Sequence, residues 1–130
     1  MTRYLFCFGL GYSAQALARR LALQGWPVAG TSRNGESGAA VFNRARPLAA
    51  AALAGVTHIL VSVPPDEAGD PVLDCHGLDL AALPGLAWLG YLSTTGVYGD
   101  CGGGWVDEGS APAPPGERGR RRVAAEQRWR

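Results

Sequence analysis

Lysine is absent from this 130-residue sequence, so all 12 of its basic residues are arginines. Cysteine is scarce: Cys7, Cys75 and Cys101 lie far apart and form no C-x-x-C pair. An odd count without close spacing predicts neither a disulfide framework nor a zinc site. Long apolar runs are also missing, since none approaches the roughly 18 residues that a membrane span requires.

The first residues lack the long apolar core and small-residue cleavage site of a secretory signal, so we expect a cytoplasmic protein without a membrane partner. Charge is uneven: residues 117–130 hold six arginines and two glutamates, a net +4, whereas residues 1–116 carry −3. Such an arginine run can bind nucleic acid. Here it shares one predicted helix with Glu117 and Glu126 and has no interleaved aromatic residue. A solvated helix face is therefore favoured, and no nucleic acid is expected.

Four aspartates are candidate cation ligands: Asp66, Asp70, Asp74 and Asp79. Their irregular spacing fits neither an EF-hand nor an oxygen cage. Solvated turn residues are the simpler interpretation, and no metal site is predicted.

Length and composition, with 47% hydrophobic and 18% charged residues, fit one globular domain. Within it, short apolar runs alternate with helical patterns. Strands are predicted at Tyr4–Phe8, Trp26–Thr31, His58–Val63 and Leu86–Ser93, with a short one at Val41–Phe42. Helices are predicted at Ala14–Gln24, Pro47–Ala54, Leu78–Leu83 and Glu117–Arg130, and loops at 66–77 and 99–116. This alternation predicts an α/β fold of the Rossmann type, a doubly wound parallel sheet.

The segment Gly9-Leu10-Gly11-Tyr12-Ser13-Ala14 follows the first strand and opens the first helix. In this G-x-G-x-x-A pattern the first glycine permits a tight turn and the second lets the backbone approach a pyrophosphate. The small third residue packs helix on strand. The helix N-terminus offers free N–H groups to the phosphates. All six residues are therefore candidate cofactor-binding residues, and a turn used only for packing is the alternative.

The end of the second strand indicates which dinucleotide is bound. An acidic residue there holds the ribose 2′-hydroxyl of NAD, whereas an arginine accommodates the 2′-phosphate of NADP. The sequence reads Gly30-Thr31-Ser32-Arg33-Asn34, with no Asp or Glu before Glu36. Ser32 and Arg33 are candidate ligands of that phosphate, so NADP is predicted over NAD. The alternative is a solvated loop arginine.

Three segments together resemble the short-chain dehydrogenase/reductase superfamily. More narrowly they resemble its extended and atypical members, the NAD-dependent epimerase/dehydratases and nucleoside-diphosphate-sugar epimerases. The segments are Gly9–Ala14, Val61–Pro65 and Leu92-Ser93-Thr94-Thr95-Gly96-Val97-Tyr98-Gly99, the last being the most specific. The resemblance spans this chain but only the first half of a usual family member. Residues 1–130 are thus expected to be a partial, truncated NAD(P)-binding Rossmann domain, with the substrate-binding portion missing after residue 130.

The resemblance implies roles for residues at two strand ends. In such enzymes a Ser or Thr three residues before the Val of Val-Tyr-Gly hydrogen-bonds the substrate oxygen, and here that residue is Thr94. Ser93 and Thr95 are alternates, and a hydroxyl that only finishes the strand and caps a turn is the structural alternative. The same mapping implies that Ser62, Val63 and Pro64 line the cofactor groove.

One departure from the family pattern concerns proton transfer. The family uses a Tyr, with a Lys four residues later, on the helix that follows the Val-Tyr-Gly loop. Here Arg118 and Arg122 stand at those positions. Arginine stays protonated, so Arg118 cannot replace the phenol, although Arg122 could hold the cofactor ribose as a cation. Tyr98 is an alternate acid.

Two functions follow from these observations. The first is an NADP-dependent oxidoreductase or sugar-nucleotide epimerase-like protein, which transfers hydride at a carbonyl or hydroxyl carbon of a small-molecule substrate. The second is a non-catalytic NADP-binding or redox-sensing protein of the same fold, and the missing Tyr/Lys pair favours it. The substrate and the oligomeric state, a homodimer included, stay open.

Overall fold

The computed structural model describes residues 2–130. It contains five strands: β1 (Leu5–Phe8), β2 (Val28–Ser32), β3 (Ala40–Val41), β4 (His58–Val61) and β5 (Trp88–Tyr91). It contains three α-helices: α1 (Tyr12–Ala22), α2 (Pro71–Ala81) and α3 (Glu117–Trp129). Short 3₁₀ turns cover Glu36–Gly38, Ala50–Leu53 and Thr95–Tyr98. In the described part of the chain, no helix has the length and apolar character needed to cross a membrane.

The five strands form one parallel sheet in the order β3-β2-β1-β4-β5. β1 lies at the centre, where Leu5 pairs with Val28 of β2 and with His58 of β4. The chain winds outward through β2 and β3, then crosses back to β4 and winds outward the other way to β5. This confirms the predicted doubly wound sheet. It also places a topological switch point at the carboxyl ends of β1 and β4, where ligands bind in such sheets.

Alternate residues of β1 contribute to a core on each face of the sheet. On one face Phe6 and Phe8 belong to a cluster that includes residues of α2. On the other face Leu5 and Cys7 pack with Ala14 of α1. All four residues of β1 are buried, which explains why this strand is an unbroken apolar run instead of an alternating one.

The first helix begins at Tyr12, two residues before its predicted start, and ends at Ala22, two residues before its predicted end. Gly25 has a φ of +84°, so it takes the left-handed conformation expected of a glycine after a helix. The chain therefore reverses at Gly25, as the sequence predicts, although the helix itself ends earlier, at Ala22.

The predicted loop at 66–77 is wrong over most of its length, because α2 begins at Pro71. Asp70 caps this helix by accepting the N–H groups of Val72 (2.9 Å) and Leu73 (3.1 Å). Pro71 occupies the first turn, where a missing N–H costs nothing. An Asp-Pro pair is typical of turns and of helix starts alike, and here it starts a helix.

Smaller differences concern element length. The predicted helix at Pro47–Ala54 is only a 3₁₀ turn over Ala50–Leu53. Strand β4 ends at Val61, two residues before its predicted end, and β5 is four residues long. Residues 99–116 hold no helix or strand, as predicted.

Candidate functional site

Hydrogen bonds to the two strands beside β1 fix the turn between β1 and α1. The Gly9 N–H donates to Thr31 Oγ1 (3.0 Å), and the Leu10 N–H donates to the Thr31 carbonyl (2.8 Å). From the other side, Ser62 Oγ donates to the Gly9 carbonyl (2.8 Å). Gly9 has a φ of +93°, a conformation that favours glycine. The predicted phosphate turn is therefore held in place from both sides.

The start of α1 is open toward solvent. Gly11 caps the helix without a side-chain hydrogen bond, and its first turn contains no acidic residue. The first N–H groups of a helix have no carbonyl partner within it. A Cβ built on Gly11 would meet no atom within 4 Å, so the backbone borders free space. The local geometry suits an approaching anion such as a pyrophosphate.

A cavity of about 580 Å³ lies at the switch point of the sheet. It brings together the ends of three segments that are far apart in the sequence. The predicted site residues that line it are Gly9, Leu10, Gly11, Ser32, Arg33, Ser62, Val63 and Pro64. The predicted site residues that do not line it are Tyr12, Ser13, Ala14, Thr94 and Arg122.

The second half of the phosphate turn separates into two roles. Ala14 is 1% exposed and packs against the sheet, as expected of the small third residue. Tyr12 and Ser13 have exposed side chains in the first turn of α1, and neither residue lines the cavity. Direct contact of these residues with a cofactor stays a prediction.

The end of β2 presents one cation to the cavity. Arg33 is exposed and lines the cavity, and it forms no salt bridge with any residue of the described chain. Ser32 Oγ accepts the Gly35 N–H (2.7 Å), which stabilises the turn after the strand. Glu36 also lines the cavity, and its carboxylate accepts a hydrogen bond from the Asn34 side chain (3.0 Å).

A second arginine lines the same cavity with its charge compensated. Arg44 donates to both carboxylate oxygens of Asp66 (2.8 Å each) and to Asp74 (2.7 Å). These hydrogen bonds from Arg44 hold the pKa of Asp66 and of Asp74 below the ordinary 3.8. They also raise the pKa of Arg44. Arg33 and Arg44 therefore offer a ligand the same guanidinium group with different charge compensation: within the described chain, acidic partners neutralise Arg44 and not Arg33.

Thr94 lies just beyond β5, at the same carboxyl edge of the sheet but outside the cavity. Its Oγ1 accepts the Gly96 N–H (3.3 Å), so the hydroxyl caps the short turn that follows. This contact fits the alternative role of Thr94, a hydroxyl that finishes the strand and caps a turn. The exposed side chain remains free to turn toward a substrate, and its catalytic role stays a prediction.

Arg122 reaches from α3 to the end of β5. Its Nη1 donates to the Leu92 carbonyl (2.8 Å), and its guanidinium lies 5.7 Å from the centre of the Tyr91 ring. Ser93, which follows Leu92, donates its hydroxyl to Glu126 of α3. These contacts attach α3 to β5, and binding of a cofactor ribose by Arg122 stays a prediction.

The described residues contain no evident replacement for the family's catalytic tyrosine. Arg118 is exposed at the start of α3, and Tyr98 is half-buried in the turn after Thr94. The Tyr91 hydroxyl is buried without a hydrogen-bond partner among residues 2–130. Burial raises the pKa of Tyr91 to about 12, which makes this phenol harder to ionise. A role of Tyr98 as an alternate acid stays a prediction.

Several residues of the site were not predicted from the sequence, and three of them have informative contacts. Thr31 supports the turn through both its side chain and its backbone, and Gln15 Nε2 donates to the Leu10 carbonyl (2.7 Å). Arg44 lines the cavity from the turn after β3. A hydroxyl residue inside the apolar strand β2 was a usable signal for Thr31. Nothing in the local pattern indicates that Arg44 lies beside Asp66, 22 residues away.

The parallel sheet, the switch-point cavity and the glycine turn define a Rossmann-type architecture. The chain matches a functionally unknown conserved protein from Silicibacter pomeroyi at 48% identity and a TM-score of 0.85, over 98% of this chain and 48% of that chain. It matches a protein from Methylobacillus flagellatus, assigned as an NAD-dependent epimerase/dehydratase, at 25% identity and a TM-score of 0.69, over 97% of this chain and 49% of that one.

The structure of MoeE5 in complex with UDP-glucose and NAD shares the fold at 18% identity and a TM-score of 0.69, over 96% of this chain and 47% of that chain. No protein-family model and no curated protein matches the sequence. The predicted resemblance to NAD-dependent epimerase/dehydratase proteins is confirmed. This chain spans about half the length of the structures it matches.

Proposed function

We propose that this chain binds NADP(H), as the nucleotide-binding part of an oxidoreductase or sugar-nucleotide epimerase-like protein. The observation that carries the proposal is the turn at Gly9 and Gly11. It is held by Thr31 and Ser62 and opens at Gly11 onto free space at the switch point. A turn used only for packing would not need glycine at position 11, because a Cβ there would meet no atom within 4 Å.

The charges around the end of β2 support NADP over NAD. Arg33 lines the cavity without an acidic partner, so its full charge is available to a 2′-phosphate. Glu36 is the acidic residue that could favour a ribose hydroxyl instead, and its carboxylate is engaged by Asn34. The MoeE5 structure, which shares the fold, holds NAD and supports a nicotinamide dinucleotide in general; the proposed preference for a 2′-phosphate rests on Arg33 of this chain.

The same structure holds UDP-glucose, and this supports a small-molecule substrate of the sugar-nucleotide class. A sugar nucleotide or another small carbonyl or hydroxyl compound would reach the carboxyl end of β5. The bound cofactor would supply hydride exchange at such a carbon. Thr94 would orient the substrate oxygen there, and Ser62 with Val63 would line the groove beside the dinucleotide.

A non-catalytic NADP-binding or redox-sensing protein is the second candidate. The arginines at the family's Tyr and Lys positions favour it, because neither can exchange a proton near neutral pH. Arg122 is moreover engaged with the Leu92 carbonyl and the Tyr91 ring.

Fluorescence titration with NADPH and NADH tests the binding proposal. The Arg33→Ala protein should lose about 10- to 100-fold in NADPH affinity, the equivalent of one charged hydrogen-bonded contact, with little change for NADH. Arg46→Ala, at another exposed arginine, is the matched control and should leave both affinities unchanged. An unchanged NADPH/NADH ratio in Arg33→Ala would overturn the NADP preference. Failure of the wild-type protein to bind either nucleotide would overturn the function itself.

A second measurement separates the two candidate functions. NADPH consumption is followed with UDP-sugars, aldehydes and ketones as substrates. Turnover that falls in Thr94→Ala supports the enzyme. Tight NADPH binding without turnover on any of these classes supports the non-catalytic protein.

A further inference from the structure

Two tight turns meet across the sheet beside the cavity. Residues 43–46 follow β3 and residues 66–69 follow β4, and an isolated antiparallel bridge closes each turn. In the sheet, β2 and β1 separate these two strands. The Arg44–Asp66 pair therefore spans the ends of both intervening strands. This contact forms one wall of the switch-point cavity, which both residues line.

Carboxylates hold the Arg44 guanidinium in one orientation. Nε and Nη2 donate to the two oxygens of Asp66, and Nη1 donates to Asp74. Asp74 also pairs with Arg128 of α3 at 2.9 Å. Two cations thus face two carboxylates, so the cluster has no net charge. Bidentate pairing fixes the plane of the guanidinium as well as its position.

This arrangement makes Arg44 a poor phosphate ligand and a good surface for a flat base. A phosphate prefers a cation whose charge is uncompensated, which describes Arg33. A rigid guanidinium plane instead stacks on aromatic rings, including nucleobases. The apolar side chains of Val63 and Pro65 line the same cavity.

We propose that the plane of Arg44 is the platform on which the adenine ring of the dinucleotide stacks. The inference rests on the proposed nucleotide-binding function and assigns the base end of the cavity. Arg33 then binds the 2′-phosphate, Gly9 to Gly11 bind the pyrophosphate, and Arg44 binds the base. Asp66 and Asp74 act as positioning residues that fix the platform and cancel its charge.

The test compares Arg44→Lys with Arg46→Lys, a matched change in the same turn whose side chain forms no salt bridge in the described chain. Lysine keeps the charge and loses the plane. We expect Arg44→Lys to bind NADPH and NADH each about 5- to 30-fold more weakly, as for loss of one stacked base. The NADPH/NADH ratio should stay constant, unlike in Arg33→Ala. Arg46→Lys should behave as wild type.

Competition by inorganic pyrophosphate distinguishes a base platform from general loosening of the cavity. Pyrophosphate has no base, so its inhibition constant against NADPH should be the same in wild type and Arg44→Lys. A parallel loss for pyrophosphate, or unchanged affinity for both dinucleotides, would overturn the proposal. In either case wild-type binding still supports the proposed function, whereas wild-type binding of neither dinucleotide would remove both.

Asp66→Asn provides an independent variant should Arg44→Lys fail to fold, as judged by its thermal midpoint. It frees part of the Arg44 charge and loosens the plane. A stacking platform then binds both dinucleotides more weakly, by about 3-fold, within the range for one weakened contact. If Arg44 were instead a phosphate ligand, the freed charge would strengthen binding of NADPH and of pyrophosphate, and the proposal would be wrong.

Discussion

Gly30 and Gly11 are needed for different reasons. A Cβ on Gly30 would lie 2.6 Å from Leu10 Cγ and 2.7 Å from the Cys7 carbonyl oxygen. The phosphate turn therefore packs directly on the backbone of β2 at Gly30. A Cβ on Gly11 would lie in open space, so packing within the fold does not require glycine at this position.

Alanine at each position should separate stability from binding. Gly30→Ala should lower the free energy of unfolding by about 1–3 kcal/mol, because the turn must move away from β2. Gly11→Ala should change it by less than about 1 kcal/mol and weaken NADPH binding by about 10-fold or more. Urea unfolding and NADPH titration provide the measurements. Equal stability loss at both positions, or unaltered NADPH binding by Gly11→Ala, would contradict this division of roles.

At the scale of elements, Asp70 joins α2 to α3. Its Oδ1 caps α2, and its Oδ2 accepts the Trp129 indole N–H at 2.7 Å. Asp70 is 1% exposed, so both contacts are protected from water. The Trp129 ring also stacks on Tyr91 of β5, with ring centres 5.8 Å apart. One carboxylate thus starts one helix and positions another against the sheet.

Asp70→Ala should lower the free energy of unfolding by about 2–4 kcal/mol, since the buried cap is lost and the indole N–H of the half-buried Trp129 loses its acceptor. Asp107→Ala, at an exposed loop aspartate that also accepts a backbone N–H, is the control and should cost less than about 1 kcal/mol. Urea unfolding followed by Trp fluorescence measures both. Similar losses for the two variants would show that Asp70 is an ordinary turn residue.

At the scale of the whole molecule, the Arg44 cluster connects the turn after β3, the turn after β4, α2 and α3. Arg44 and Asp66 of this cluster form one wall of the switch-point cavity. The carboxylates of the cluster bind protons less readily when folded than their ordinary pKa of 3.8 implies, mainly because Arg44 donates hydrogen bonds to them. The stability that the cluster contributes is therefore present above about pH 4 and lost as the pH falls below that value.

Asp74→Asn should lower the free energy of unfolding by about 1 kcal/mol at pH 7, a modest figure because the pair is partly exposed. The difference from wild type should shrink as the pH falls below about 4, because the unfolded wild-type chain takes up a proton at Asp74 before the folded protein does. Urea unfolding at pH 7, 5 and 3 gives the comparison. Glu67→Gln, exposed on the neighbouring turn, is the control and should change the free energy of unfolding by less than about 0.5 kcal/mol at pH 7. A difference that persists undiminished at pH 3 would refute the linkage.

Local pattern was sufficient where a signal lies within one segment. The apolar run before Gly9, the small residue at Ala14 and the glycine at position 25 were interpreted correctly. The pattern failed at α2, because Asp70-Pro71 begins helices as well as turns. Only the packing of that helix against the core decided between the two.

The sequence by itself determined the alternation of strands and helices and the glycine turn, because each depends on neighbouring residues. That alternation in turn predicted a parallel sheet. Tertiary structure alone decided that Thr31 and Ser62 brace that turn from separate strands. It also decided that Asp66 and Asp74 compensate the charge of Arg44, whereas Arg33 lines the cavity without such a partner in the described chain. The physical reason is that charge compensation and hydrogen bonding act over a few ångströms in space, and the sheet order sets those distances between residues far apart in the chain.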